Sequence, residues 1–243
     1  MAPIDPLNLQ AYIVHPDGAV GRLKERGEGV KHFGLVATAA STRSLESDRL
    51  RAAMEAAKDQ DPFTSPLDFT LRLYFEVSFF DLARRSKGDA IAVGVSYGKS
   101  VRAIFEYFGD IGDRTFILVD PWSKADRSGD KGHTFCHDAA EVANKLARWQ
   151  NKICLIEGFA PDALADTGDG PLSYININIG EPVAEIETFR RLYPRLSLGG
   201  VAVMPGFAWQ GAGAAERELI ALAEQLGQSF IWLPTGQGVM IKR

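Results

Sequence analysis

A chain of 243 residues, 46% hydrophobic and 24% charged, can bury one sizeable α/β core of its own. Its net charge of −4 excludes the basic field that gathers nucleic acid or acidic lipid. Two cysteines, Cys136 and Cys154, give neither a disulfide framework nor zinc spacing. No stretch is apolar for long enough to span a bilayer, and the opening MAPIDPLNLQ lacks a signal-peptide pattern, so a cytoplasmic setting is the expectation.

The first part of the chain reads as helical. Ser44–Lys58 places Leu45, Leu50, Ala53, Met54 and Ala57 on one face. Leu67–Arg85 is rich in aromatics (Phe69, Tyr74, Phe75, Phe79, Phe80), a stripe that core packing accounts for. From there on, apolar segments alternate with helical ones. Ala90–Val95, Thr115–Val119, Lys152–Ile156, Ser173–Ile179, Gly200–Met204, Phe230–Leu233 and Val239–Ile241 read as strands; the earlier ones are almost continuously apolar, as in parallel strands covered on both faces. Lys99–Phe108, Ala139–Gln150, Ala184–Tyr193 and Ala214–Leu226 read as helices. The expectation is an α/β fold with a doubly wound, mostly parallel seven-stranded sheet. The turn PTGQG makes the last two strands an antiparallel edge hairpin. Residues 1–66 form an N-terminal helical or lid segment on this reading, and residues 67–243 the ligand-binding domain.

The stretch AIAVGVSYGKS runs from a strand through a glycine turn into a helix, and so aims backbone N–H groups and a helix dipole at a ligand. Gly98-Lys99-Ser100 resembles the end of a phosphate-binding P-loop. That pattern needs a glycine where Val93 stands, so the loop is too short. A dinucleotide loop needs a second glycine where Ser96 stands. In an open parallel sheet the ligand lies at the carboxyl ends of the strands. Those ends carry Gly94, Asp120, Glu157-Gly158-Phe159, Asn176 and Asn178, and Pro205-Gly206-Phe207. Asp120 suits ribose hydroxyls, a magnesium-holding strand end or a helix cap; alone it does not choose between them.

The order GVSYGKS, LVDPW, LIEGFAPDAL, YININIGEPVAEIETFRRLYPRLSLGGVAVMPGF, TGQGVMIKR resembles the class I S-adenosylmethionine-dependent methyltransferases. It is most similar to the macrocin-type sugar O-methyltransferases, over about residues 67–243, with LYPRLSLGGVAVMPGF its most specific piece. The resemblance implies a Rossmann-like fold and S-adenosylmethionine as cofactor. Gly94, Val95, Tyr97, Gly98 and Ser100 then fall in the loop that holds its methionine end. Asp120 falls at the ribose acid, and Glu157, Gly158 and Phe159 fall beside the adenine. A sulfonium nucleoside has no phosphates, so a short loop suits it, and Lys99 becomes a first-turn helix residue.

The departures are specific. The family's loop acid reads Ala92; its metal-holding acids read Asn176 and Asn178, and Pro205 and Gly206. Hard cations want anionic oxygens, so no metal site is expected. Glu181 and Glu185 suit a helix N-terminus. Transfer to a hydroxyl then depends on alignment and on a base. The long loop after Asp120 carries His133, Cys136 and His137, and the resemblance places the base at His133, with His137 beside it. His15 and His32 lack such a context. The function implied is a metal-independent O-methyltransferase for a small-molecule or glycosyl hydroxyl, with no nucleic-acid or membrane partner. The N-terminal helices would cover the substrate or form a homodimer contact. The alternatives are a non-catalytic relative that has lost its acids and, less well supported, a P-loop protein.

Overall fold

Parallel pairing begins with β3 (Asp89–Val93), β4 (Phe116–Asp120), β5 (Ile153–Glu157), β6 (Leu172–Ile177) and β7 (Leu196–Met204). The sheet is completed by β8 (Ile231–Trp232) and β9 (Gly238–Ile241), in the order β5-β4-β3-β6-β7-β9-β8. The computed structural model describes residues 12–14, 20–22, 47–58, 66–122, 138–207, 213–233 and 235–243. β9 runs antiparallel to both β7 and β8, so the expected hairpin exists with its second strand inserted between β7 and the edge. Every residue of β4 and of β6 is buried. This is the mark of parallel strands covered on both faces, and it explains their unbroken apolar runs.

The period of two along each strand sorts the core into two layers. Ala90, Ala92, Phe116, Leu118, Tyr174, Val201 and Val203 face one side. There they meet α1 (Asp48–Lys58), α2 (Pro66–Ala83) and α3 (Lys99–Phe108). Ile91, Val93, Ile117, Val119, Ile175, Ile177 and Met204 face the other, against α5 (Pro182–Leu192) and α6 (Gly213–Gln225). Phe80 anchors the first layer. It is fully buried, stacked on Phe116 at 5.7 Å between centroids and edge-on to Tyr174 at 5.3 Å. α1 contributes Leu50, Met54 and Ala57 to this same layer.

Some boundaries differ from the sequence reading. The helix expected over Ala139–Gln150 stops as α4 (Ala139–Lys145) and continues as a 3₁₀ segment, Ala147–Lys152. Trp149 causes the break: its ring stacks on Phe105 and its indole N–H donates to the Gly109 carbonyl at 3.1 Å, which a continuous helix would not allow. α5 begins earlier than expected, because Glu181 caps it and Pro182 suits the first turn, whose N–H groups have no intrahelical partner. The N-terminal stretch also contains a small antiparallel hairpin, β1 (Tyr12–Val14) with β2 (Val20–Arg22), alongside the expected helix. No helix among the described residues is long and apolar enough to cross a membrane.

Phe80→Ala opens a cavity beneath the sheet and costs about 3–5 kcal/mol. Phe159→Ala, at a ring that is 55% exposed, stays within about 0.5 kcal/mol. Urea unfolding of the two variants checks the contrast.

Candidate functional site

Connections from β3 run to β4 and β5 on one side, and the chain then returns to lay β6 on the other. The crevice over the carboxyl ends of β3 and β6 is therefore the switch point at which open α/β sheets bind ligands. Main-chain bonds close this region. Gly94 N–H donates to the Val119 carbonyl at 2.9 Å, Asn178 N–H to that of Val93 at 2.8 Å, and Gly158 N–H to that of Asp120 at 3.0 Å. Gly94 sits at φ +79°, and a Cβ there would lie 2.1 Å from the Asn178 carbonyl oxygen, so only glycine fits.

Asp120 organises the loop that follows. Its Oδ2 accepts from Val95 N–H at 2.8 Å and Ser96 N–H at 2.9 Å, and its Oδ1 from Trp122 N–H at 3.0 Å. The carboxylate is 5% exposed, so these charge-assisted bonds are shielded from water. Ser96 and Trp122 both take positive φ, +49° and +32°, which non-glycine residues seldom adopt. Trp122 is buried, and its indole N–H donates to the Ser96 carbonyl at 3.2 Å. Backbone strain of this kind concentrates at binding sites. α3 then opens at Gly98, φ +76°, an N-cap residue with no side chain to offer. Its N–H groups and the partly exposed Tyr97, Lys99 and Ser100 border the crevice.

The structure thus gathers Gly94, Val95, Tyr97, Gly98, Ser100, Asp120, Glu157, Gly158 and Phe159 along three adjacent strand ends. Glu157 pairs with Asp120 in the β4–β5 register and is exposed, as is Phe159. The two asparagines separate. Asn176 is 6% exposed and directs its amide N–H to the Tyr174 hydroxyl at 3.3 Å, inside the first layer. Asn178 is exposed, and its Oδ1 lies near Gly206, 3.8 Å from where a Cβ would stand. The two metal-acid positions of the resemblance therefore do converge, as an amide and a glycine. Glu185 turns back to accept from Ile179 N–H at 3.0 Å and Gly180 N–H at 2.9 Å, and burial raises its pKa. Among the described residues no group of three acids, histidines or cysteines could hold a metal ion. His133, Cys136, His137, His15 and His32 lie outside the described residues.

Sequence reasoning passed over Glu76. It sits on the buried face of α2 with Leu73, Val77, Phe80 and Ala83, and is 3% exposed. Its Oε1 accepts from Gln237 Nε2 at 3.2 Å. An acid on the apolar side of a helical period was the available signal. Away from the crevice, a cleft of about 300 Å³ between α1, α2 and α3 is walled by Leu50, Tyr74 and Tyr107.

The sequence matches no family model and no curated protein. Solved structures resemble it in fold. The O-methyltransferase NovP superposes with a TM-score of 0.59 at 16% identity, over 70% of this chain and 79% of its own. The calicheamicin methyltransferase CalS11 gives 0.58 at 14% identity, over 90% and 98%. The SAH-bound methyltransferase PaMTH1 of Podospora anserina gives 0.56 at 17% identity, over 81% and 88%. The chain has the class I methyltransferase fold. Within that fold, the Gly94–Ser100 loop and Asp120 stand at the carboxyl ends of the adjacent strands β3 and β4.

Removing the Asp120 side chain leaves three loop N–H groups without their acceptor. Asp120→Ala is expected to lose about 3 kcal/mol of stability, and Asp120→Asn, which keeps a carbonyl acceptor, less. Chemical denaturation of both variants measures this.

Proposed function

We propose that this protein is an S-adenosylmethionine-dependent O-methyltransferase that acts, without a metal ion, on a hydroxyl of a small molecule or glycosyl group. The observation that carries the reading is the crevice at the switch point. A glycine loop too short for a P-loop, a helix that starts at a glycine and a buried acid meet there. The cofactor supplies an electrophilic methyl group on a sulfonium centre. The first turn of α3, which starts at a glycine, suits the carboxylate of the cofactor's amino-acid end through the helix dipole. On this reading Asp120 receives the ribose hydroxyls while it shapes the loop. Phe159, exposed beside Gly158, offers an apolar face to the adenine.

The acceptor side follows from the residues at the ends of β6 and β7. The Asn178 amide can accept a hydrogen bond from the acceptor hydroxyl and aim it, and the buried Asn176 supports the strand behind it. An amide does not lower the pKa of that hydroxyl as a cation would. Proton removal is assigned to His133, with His137 as the neighbouring candidate. CalS11 is a TDP-rhamnose 3′-O-methyltransferase, and likeness to it supports a glycosyl acceptor. The setting proposed is cytoplasmic, which suits the free, exposed thiol of Cys154.

S-Adenosylhomocysteine should raise the Tm, with about 2.7 kcal/mol of added stability at a hundredfold excess over Kd. Mg-ATP should not, and stabilisation by Mg-ATP alone would contradict the reading. Turnover on a panel of sugar and phenol hydroxyls should survive excess EDTA and fall by about 10²-fold in His133→Ala. EDTA-sensitive turnover restored by magnesium would refute the metal-free chemistry. Nucleoside binding without turnover on any hydroxyl would favour the non-catalytic relative.

A further inference from the structure

Glu76 is a buried carboxylate with one oxygen left over. Gln237 Nε2 donates to Oε1, whereas Oε2 is buried and has no hydrogen-bond partner. Such groups are rare in folded proteins, because an unsatisfied buried acceptor is costly and a buried charge more so. Its neighbours come from elements that border the crevice. Ser100, in the first turn of α3, presents its hydroxyl to this carboxyl group. Gln237 comes from the start of β9, and Tyr174 from β6, with Asn176 bonded to it one step nearer the strand end. Thr235 in turn donates to Gln237 Oε1 at 2.7 Å. Ala92 lies level with Asn176 on this same face, so β3 offers no charge there.

We infer that Glu76 receives the ammonium end of the adenosyl ligand's amino acid, supplying from α2 the carboxylate that β3 lacks. This rests on the methyltransferase reading. A primary ammonium donates in three directions and carries the charge that a lone buried carboxylate needs. Ser100 and Gln237 meet the acid with neutral groups, and Arg72 is the cation that acts on it from its own helix. The positive end of the α3 dipole takes the ligand's carboxylate alongside, so both charges of the amino acid find opposite partners within one turn of helix.

The free protein carries the cost. Burial raises the Glu76 pKa from 4.5 to about 7, against the smaller opposing effects of Ser100, Arg72 and Gln237. The titratable groups that act on it are Arg72, one turn earlier on α2, and the Tyr174 phenol on β6; α3 and β9 face it with the neutral Ser100 and Gln237, and β7 with the apolar Val201 and Val203. A folded pKa above the unfolded one in an acid means that folding favours the neutral form. That contribution is complete below about pH 4.5 and lost as pH rises through about 7. Glu76→Gln should therefore melt higher than the parent at pH 8 with no ligand, which also shows that the variant folds.

Binding separates the inference from its foundation. S-Adenosylhomocysteine keeps its ammonium and carboxylate charged between pH 5 and pH 7.5, while 5′-methylthioadenosine lacks both. By calorimetric titration, the affinity of the parent for S-adenosylhomocysteine should fall about tenfold per pH unit below about 7, and that for 5′-methylthioadenosine should stay level. Uptake of the homocysteine nucleoside near pH 6.5 should release protons, seen as a buffer-dependent heat. Glu76→Gln should abolish the pH slope and the proton release, weaken S-adenosylhomocysteine about tenfold or more at pH 8, and leave 5′-methylthioadenosine unchanged. S-Adenosylhomocysteine affinity that is level from pH 5 to pH 7.5 in the parent, or unaltered in Glu76→Gln, would overturn the assignment while leaving the methyltransferase reading intact. Failure of both nucleosides to bind the parent would overturn the two together.

Discussion

The carboxylate of Asp120 ties the end of β4 to the loop that leaves β3, through Val95, Ser96 and Trp122. The rest of the crevice depends on this knot. It holds Ser96 and Trp122 in backbone conformations that they would not adopt alone. It thereby fixes where Gly98 turns the chain into α3 and where the N–H groups of that helix point. The carbonyl of the same residue receives Gly158 N–H, so β5 and its exposed Phe159 are registered to the same point. One acid at a strand end thus places three segments that are distant in sequence. It does so as a buried charge satisfied by main-chain donors, a role that persists with or without a ligand.

β6 is where the core and the site grade into each other. Its period of two puts Tyr174, Asn176 and Asn178 on one side, and burial falls along that series from a fully buried ring to an exposed amide. Tyr174 packs against Phe80 and Phe116, and burial with the nearby Glu76 pushes its phenol well above the ordinary tyrosine range. On β6 the polar groups of the first layer thus lie toward its upper end, near the second oxygen of Glu76, which has no hydrogen-bond partner. The strands of the second layer bring Ile91, Val93, Ile117, Val119, Ile175 and Ile177 under α5 and α6.

Much of this was legible in the sequence because its elements obey local rules. α3 spans Lys99–Phe108 as its apolar period predicts, and each of the seven sheet strands overlaps an expected apolar run, although β7 begins at Leu196 and not at Gly200. The glycine loop and Asp120 were found by their place at strand ends. What escaped was set by distant contacts. Trp149 breaks a helix by reaching Gly109 and Phe105, partners invisible in a local window. Asn176 and Asn178 looked equivalent by spacing, and only packing buries one and leaves the other exposed. Asp120 was read for its ligand rather than for the loop, since nothing in TFILVD tells which N–H groups it will meet. Glu76 was hidden by the aromatics around it, although YFEVSFF places its one acid on the face that Leu73, Val77 and Phe80 bury.

The central claim is that an adenosyl ligand occupies the crevice shaped by Asp120. Hydrogen exchange read by mass spectrometry, with and without saturating S-adenosylhomocysteine, tests it most directly. The account predicts slowed exchange in peptides covering residues 94–100, 119–122 and 157–160, with the exposed edge at Ile231–Trp232 unchanged. Protection absent from those three segments, or confined to the cleft at Leu50, Tyr74 and Tyr107, would contradict it.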